Sequence, residues 1–86
     1  MQKILTIKHE SGLHARPAVL FVQTASQFES NIRIFFNGKE ANGKSLLSIL
    51  GLGIKKGAQI TLQAEGEDCQ SALQKLNDLV DANFGE

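Results

Sequence analysis

Four short segments of this chain alternate apolar with polar side chains, which is the period of a β-strand buried on one side only. The segments cover residues 3–8, 32–36, 39–41 and 60–64. Strands that are covered on both faces have continuous apolar sequences instead of alternating ones, and they are typical of parallel sheets. The alternation therefore predicts a four-stranded antiparallel sheet with one face open to solvent.

Helical segments are expected to cover the other face. Apolar residues recur at the spacing of one helical face after Pro17 and again after Asp68, which should cap the last helix. They are Ala18, Phe21, Val22 and Ala25, then Cys69, Ala72, Leu73, Leu76, Leu79 and Val80. A shorter helix is expected between Ser45, a favoured N-cap residue, and Gly51. The order β-α-β-β-α-β-α gives an α+β fold: an open-faced β-sandwich with three helices on one face of the sheet.

Two local features refine this outline. Asn37 and Gly38 tolerate the positive φ angles of a two-residue hairpin, so residues 39–41 should form an edge strand. Near the end of the sequence, Phe84 is expected to pack back on the core, whereas residues 85–86 should fray.

Composition excludes several classes of function. The 86 residues suffice for one domain, residues 1–86, because 42% of them are hydrophobic. Lys plus Arg and Asp plus Glu number nine each, so nucleic-acid binding through bulk positive charge is not expected. No apolar run could span a bilayer and no signal region is visible, so no membrane insertion is expected. The single cysteine, Cys69, favours a reducing, cytoplasmic setting and begins an apolar face, where a buried, unreactive thiol is expected.

Metal-dependent and hydrolytic activities are not expected either. The chain has two histidines and one cysteine, which do not make a convincing metal site. His9 has no partner at metal-ligand spacing and is expected on the surface. No cofactor is predicted.

The segment 11–18, Ser-Gly-Leu-His-Ala-Arg-Pro-Ala, joins the first strand to the first helix and holds the strongest candidate site. Pro17 belongs in a first helical turn but disfavours helical torsions at Arg16. The helix therefore starts at Ala15 with a strained first turn, or only at Pro17. In either case His14 lies where the first-turn amides and the helix dipole favour an anion, and Arg16 adds a guanidinium suited to phosphate.

His14 has two interpretations on these grounds. A neutral imidazole is a nucleophile near neutral pH, so His14 can carry an anion, most plausibly a phosphoryl group. A histidine near a helix start can also be a cap or an ordinary surface residue. One histidine and one arginine form a weak motif, and the residues alone leave both interpretations open.

Two motifs resemble those of a known family. Gly-Leu-His-Ala-Arg-Pro-Ala is followed about thirty residues later by Gly-Lys-Ser-Leu-Leu-Ser-Ile-Leu-Gly-Leu-Gly. Over essentially its whole length the chain resembles HPr, the histidine-containing phosphocarrier of the bacterial phosphotransferase system. The resemblance implies that His14 takes a phosphoryl group from Enzyme I, ultimately from phosphoenolpyruvate, and passes it to Enzyme IIA-type domains. Arg16 would stabilise the phosphate. The chain would then be a monomeric carrier and not an enzyme.

Ser45 also has two interpretations. Its hydroxyl can cap the short helix, which stabilises a helix by about 1 kcal/mol. The resemblance adds a regulatory role, because Ser45 matches the serine that a kinase/phosphorylase modifies in many members of the family. A phosphate there would weaken docking of a partner without unfolding the domain.

A docking surface is predicted beside His14. Some leucines of the short helix must be exposed, and exposed apolar groups on a helix indicate a partner. In the first helix, residues 19, 20 and 23 lie away from the core stripe, although a broad core stripe would explain the two aliphatic ones as well. The predicted docking residues are Val19, Leu20, Gln23, Leu46, Leu47 and Leu50.

Two alternative functions stay open. The first is a relative in the nitrogen-related branch of the family, where the phosphoryl chain ends in regulation. The second is a regulator that acts only by protein–protein interaction through Ser45. The presence of His14 argues against the second, because the resemblance implies that relatives specialised in this way lack the histidine.

Overall fold

The elements follow one another in the order that the sequence pattern predicts. The structure, a computed structural model, describes residues 1–86. Its strands are β1 (Gln2–Thr6), β2 (Asn31–Phe36), β3 (Lys39–Asn42) and β4 (Gln59–Glu65), and its helices are α1 (Ala15–Ala25), α2 (Leu46–Leu50) and α3 (Cys69–Asp81). A 3-10 turn, Asn83–Gly85, follows α3. The predicted open-faced β-sandwich is confirmed.

The sheet places β4 in its interior, although β4 is the last strand in sequence. The strand order is β1-β4-β2-β3, and every neighbouring pair is antiparallel. The β2–β3 hairpin turns at Asn37 and Gly38, whose φ angles of 53° and 79° are the left-handed values that this dipeptide tolerates. The prediction that β3 is an edge strand is confirmed, and β1 forms the other edge.

One face of the sheet carries the core. Leu5 of β1 and Leu62 of β4 are buried, whereas Ile4, adjacent to Leu5, is 66% exposed on the opposite face. The helix α3 contacts β1 and β4, and α1 contacts α3. The helical residues buried there are Pro17, Ala18, Phe21 and Ala25 of α1 and Ala72, Leu73, Leu76 and Val80 of α3. Val22, which the periodicity also assigns to the core face, is half-buried.

The prediction that His9 lies on the surface is wrong. The residue is only 7% exposed, because the 3-10 turn folds back over it. Phe84 is buried, as predicted, and its ring meets the His9 ring edge-on at a centroid distance of 5.9 Å. The prediction that Glu86 frays is also wrong, because its carboxylate contacts His9.

Asp68 lies at the N-cap position of α3, but its side chain does not cap that helix. Its carboxylate instead accepts hydrogen bonds from the amides of Glu29 and Ser30, each at 2.9 Å, and from the Ser30 hydroxyl. These bonds, above all the one from the hydroxyl, hold the pKa of Asp68 below its usual range. Asp68 therefore connects α3 to the start of β2. Cys69 is half-buried and not buried as predicted, because it lies in the first turn of α3.

Candidate functional site

The loop between β1 and α1 is pinned against the segment that precedes β4. The Leu13 amide donates to the Ile54 carbonyl at 3.1 Å. Gly12 has a φ of 68°, and a Cβ at this position would lie 2.3 Å from the same carbonyl oxygen. Only glycine fits so close an approach without a shift of the backbone. The loop therefore leaves β1 along a fixed path and delivers residue 14 to the start of α1.

A surface ion pair ties the same two segments together. Lys56 Nζ lies 3.0 Å from Glu10 Oε1. The hydrogen bond from Lys56 holds the pKa of the Glu10 carboxyl below its usual range. Both side chains are largely exposed, so the pair contributes little stability.

His14 is the N-cap residue of α1 and is exposed. Its backbone is extended, with φ −146° and ψ 167°, and its side chain makes no capping hydrogen bond. A neutral imidazole has one nitrogen with a free lone pair, and an exposed ring can present that nitrogen to another molecule. The interpretation of His14 as a side-chain cap is therefore wrong.

The start of α1, which the residues left open, lies at Ala15. Ala15 has a φ of 51°, a left-handed value that costs an alanine about 1–3 kcal/mol. Pro17 is buried in the first turn, where its missing amide hydrogen leaves no donor unpaired. The amides of the first turn have no partners within the helix, so the strained residue lies beside a place that favours an anion.

Arg16 projects from the same turn and is 73% exposed. Its Nε lies 3.7 Å from Glu86 Oε2, while Glu86 Oε1 lies 2.5 Å from His9 Nε2. The other His9 nitrogen, Nδ1, accepts from the Ser11 amide at 3.0 Å. His9 and Glu86 therefore join the site although the sequence analysis missed both. The sequence signal for these two residues is weak. An imidazole and a carboxylate can form a hydrogen bond, but the distance between His9 and Glu86 along the sequence does not indicate that they meet.

Ser45 caps α2, as predicted. Its Oγ accepts from the Ser48 amide at 3.3 Å, and the residue is half-buried. The hydroxyl thus lies at the start of a helix whose next two residues, Leu46 and Leu47, are exposed.

The residues predicted to form a docking surface lie on α1 and α2, which contact each other. Leu47 is the most exposed at 82%, and Val19 and Leu46 are 39% and 36% exposed. Gln23 is exposed, whereas Leu20 and Leu50 are half-buried and pack partly on the core. For Leu20 the broad-core interpretation is thus partly correct. We call Val19, Gln23, Leu46 and Leu47 the α1–α2 patch.

No three His, Cys, Asp or Glu side chains come together in a group that could hold a metal ion. No helix is both long enough and apolar enough to cross a bilayer.

Comparison with known proteins relates this geometry to a family. The family model described as the PTS HPr component phosphorylation site matches residues 1–82. The chain belongs to the HPr family. Membership of this family supports a phosphocarrier role in the phosphotransferase system, and the HPr relatives are phosphocarriers, which fits a protein that is not an enzyme.

Solved structures of HPr proteins agree with the family assignment. HPr-C-His from Thermoanaerobacter tengcongensis is 45% identical with a TM-score of 0.98, and the alignment covers 100% of this chain and 97% of that one. HPr from Bacillus anthracis is 42% identical with a TM-score of 0.90, with coverage of 93% and 95%. Crh, a catabolite repression protein of Bacillus subtilis described as a dimer with a swapped domain, is 40% identical with a TM-score of 0.77, with coverage of 96% and 95%.

Proposed function

We propose that the chain carries phosphoryl groups on His14, receiving them from Enzyme I and passing them to Enzyme IIA-type domains. The observation that carries this proposal is the exposed His14 ring at the N-terminus of α1, free of any capping hydrogen bond. In the transfer, the lone pair of an imidazole nitrogen forms the N–P bond as the bond between phosphorus and the donor breaks. In the second transfer, a nucleophile of the acceptor forms a bond to phosphorus as the N–P bond breaks, and the electron pair of that bond returns to the imidazole nitrogen.

A carrier has to hold the phosphoryl group without trapping it. Amides at an exposed helix N-terminus stabilise an anion by about 0.3–1 kcal/mol. Arg16 can add a charge-assisted hydrogen bond, but it is 73% exposed and its charge is screened by solvent. These groups orient the phosphoryl group while leaving it free to move on, and the exposure of the site lets two partners reach it in turn. We propose that the chain does so as a monomer in the cytoplasm.

Purified chain should be incubated with Enzyme I and phosphoenolpyruvate, then read by mass spectrometry and phosphorus NMR. We expect one acid-labile phosphoryl group, absent from His14→Ala. The matched control is His9→Asn, which removes the only other imidazole of the chain and should still be labelled. Failure of the wild type to acquire label on His14 from a competent Enzyme I would disprove the carrier function.

We propose that the α1–α2 patch, together with Leu20 and Leu50 at its edge, docks both partners. Interfaces between shuttling proteins are small, below about 1,200 Å² of buried surface, so a few exposed apolar residues can dominate them. Leu47→Glu should slow phosphoryl transfer from Enzyme I by about tenfold, the effect of losing a contact of more than about 1 kcal/mol. Leu46→Glu should act in the same direction, and neither change should move the thermal midpoint appreciably.

Ile4→Glu is the matched control for this test. Ile4 is also exposed, at 66%, but lies on the opposite face of the sheet. The transfer rate of this variant should equal that of the wild type. Equal losses of rate in Ile4→Glu and Leu47→Glu, or losses that follow the thermal midpoint, would refute the docking surface.

Ser45 is proposed as a regulatory phosphorylation site for a serine kinase/phosphorylase. A phosphate adds a charge of roughly −1.5 to −2 at the start of α2, where the helix dipole tolerates it, but beside Leu46 and Leu47. Ser45→Asp should therefore keep the thermal midpoint and slow transfer from Enzyme I. Ser45→Ala should keep the transfer rate and lose about 1 kcal/mol of unfolding free energy with the cap. Normal transfer by Ser45→Asp would argue against regulation at this position.

The alternative function is a regulator that acts by binding other proteins, and we keep it because the chain is also 40% identical to Crh, a catabolite repression protein. Incubation with a serine kinase and ATP separates the two functions. Acid-stable label on Ser45, with no label on His14 from Enzyme I, would favour the regulator.

A further inference from the structure

His9 is a buried histidine with both ring nitrogens in use. Because Nδ1 accepts a hydrogen bond from the Ser11 amide at 3.0 Å, its lone pair is occupied and the ring proton lies on Nε2. Nε2 then donates to Glu86 Oε1 at 2.5 Å. The edge-on contact with the Phe84 ring further restricts the orientation of the His9 ring. The orientation of His9 is therefore set, and through it the position of one carboxylate oxygen.

The other oxygen of that carboxylate faces the candidate site. Glu86 Oε2 lies 3.7 Å from Arg16 Nε, two residues from His14. The Arg16 and Glu86 side chains are 73% and 41% exposed, and an exposed ion pair holds its partners only weakly by itself. The bond from the buried His9 is the one hydrogen bond that the Glu86 side-chain carboxylate accepts.

The backbone that brings Glu86 to His9 is strained. Asn83 and Phe84 have φ angles of 53° and 57°, left-handed values that non-glycine residues rarely adopt. The side-chain Oδ1 of Asn83 is buried without a hydrogen-bond partner. Such a turn persists only where other contacts compensate for it. The contacts that compensate here are the burial of Phe84 and the bond between His9 and Glu86.

We propose that His9 is a positioning residue of the phosphoryl-acceptor site. It holds the Glu86 carboxylate against Arg16, so that an internal anion occupies the guanidinium while His14 is free. A phosphoryl group on His14 must then compete with Glu86 for Arg16, which favours passing the group on. This inference rests on the proposed carrier function.

Two substitutions separate the two roles of the imidazole. Asn at position 9 can accept from the amide two residues on, as Asx turns do, but it is too short to reach Glu86. Gln extends an amide donor toward Glu86. His9→Asn should therefore release Glu86 from Arg16, whereas His9→Gln should retain the contact. Glu86→Gln removes the anion itself.

The first measurement is the NMR resonance of the Arg16 Nε–H group in the unphosphorylated protein. It should shift in His9→Asn and in Glu86→Gln, and stay near the wild-type position in His9→Gln. The second is the equilibrium constant for phosphoryl exchange with Enzyme I. It should move toward the phosphorylated chain by about two- to fivefold in His9→Asn and Glu86→Gln. The double variant should show no further change, because His9 acts through Glu86.

The outcomes distinguish this inference from the proposed function. An unchanged Arg16 resonance in both His9→Asn and Glu86→Gln would overturn the inference, whatever Enzyme I does. Labelling of all variants with identical exchange constants would overturn it and leave the carrier function intact. If the effects of His9→Asn and Glu86→Gln on the exchange constant add up in the double variant, His9 does not act through Glu86 and has only a structural role. If Enzyme I labels nothing, the carrier function fails, and the resonance alone decides whether His9 positions Glu86.

Discussion

At the scale of single residues, Ala15 shows how the start of α1 departs from regular helix geometry. Pro17 restricts the torsions of Arg16, the residue before it, whereas the left-handed φ of 51° lies one position earlier, at Ala15. Alanine gains nothing from this conformation, which glycine adopts without a steric penalty. The strain lies next to His14, so it belongs to the geometry of the candidate site.

We expect Ala15→Gly to raise the free energy of unfolding by about 1 kcal/mol, because glycine removes the left-handed penalty. Ala18→Gly is the comparison variant: it changes the same residue type about one turn later, at a buried position with regular helical geometry. That variant should lose about 1 kcal/mol or more. Urea denaturation of the two variants checks both signs. Destabilisation by Ala15→Gly would show that Ala15 is not strained.

At the scale of secondary-structure elements, Asp68 joins α3 to β2. Its carboxylate accepts from the amides of Glu29 and Ser30 just before β2 begins at Asn31. Gly66 makes room for this junction, since a Cβ there would lie 2.6 Å from Ser30 Oγ. These contacts therefore fix the N-terminus of α3 against the start of β2.

The lowered pKa of Asp68 makes this junction sensitive to acid. Because the pKa of Asp68 is lower in the folded chain than its ordinary value of 3.8, the carboxylate stabilises the fold above that value. The stabilisation is lost as the pH falls through the folded pKa, below 3.8. Asp68→Asn should lower the free energy of unfolding at neutral pH, since its amide would face the Glu29 amide.

The measurement is the free energy of unfolding of the wild type and of Asp68→Asn at a series of pH values, from neutral pH to below the pKa of Asp68 in the folded chain. The difference between them should shrink as the pH falls through the Asp68 titration. Asp81→Asn, an exposed change at the end of the same helix, should show little difference at any pH. A gap between wild type and Asp68→Asn that does not depend on pH would contradict this account.

The sequence predicted the elements because each depends on local chemistry. The alternation of residues 32–36, the Asn37-Gly38 turn and the Ser45 cap act over a few residues, and all three are present. The position of His14 at the start of α1 was predictable for the same reason. The role of Asp68 was not, because the same residue type suits a cap and a distant acceptor equally well.

At the scale of the whole molecule, the unpredicted features are contacts between distant parts of the chain. His9 and Glu86 are separated by 77 positions, and only the folded 3-10 turn brings them together. The pairing of β1 with β4 is equally remote from any local pattern. Periodicity identifies which face of an element is buried but not which element covers it.

The oligomeric state is also a property of the whole molecule. The apolar residues of one chain already form a single buried cluster, and the edge strand β3 carries the charged residues Lys39 and Glu40, which discourage strand pairing between copies. We expect sedimentation equilibrium to give the mass of one chain at every concentration tested. A mass that rises toward two chains would contradict this and bring the protein closer to the dimer described for Crh.

The interior place of β4 determines how the chain can fold. β1 pairs only with β4, and β2 reaches β1 only through it. Until residues 59–65 have been synthesised, the β2–β3 hairpin is the one part of the sheet that can form. The nascent chain therefore has no stable intermediate built on its first strand, and the sheet should assemble in one late, cooperative step limited by long loop closures.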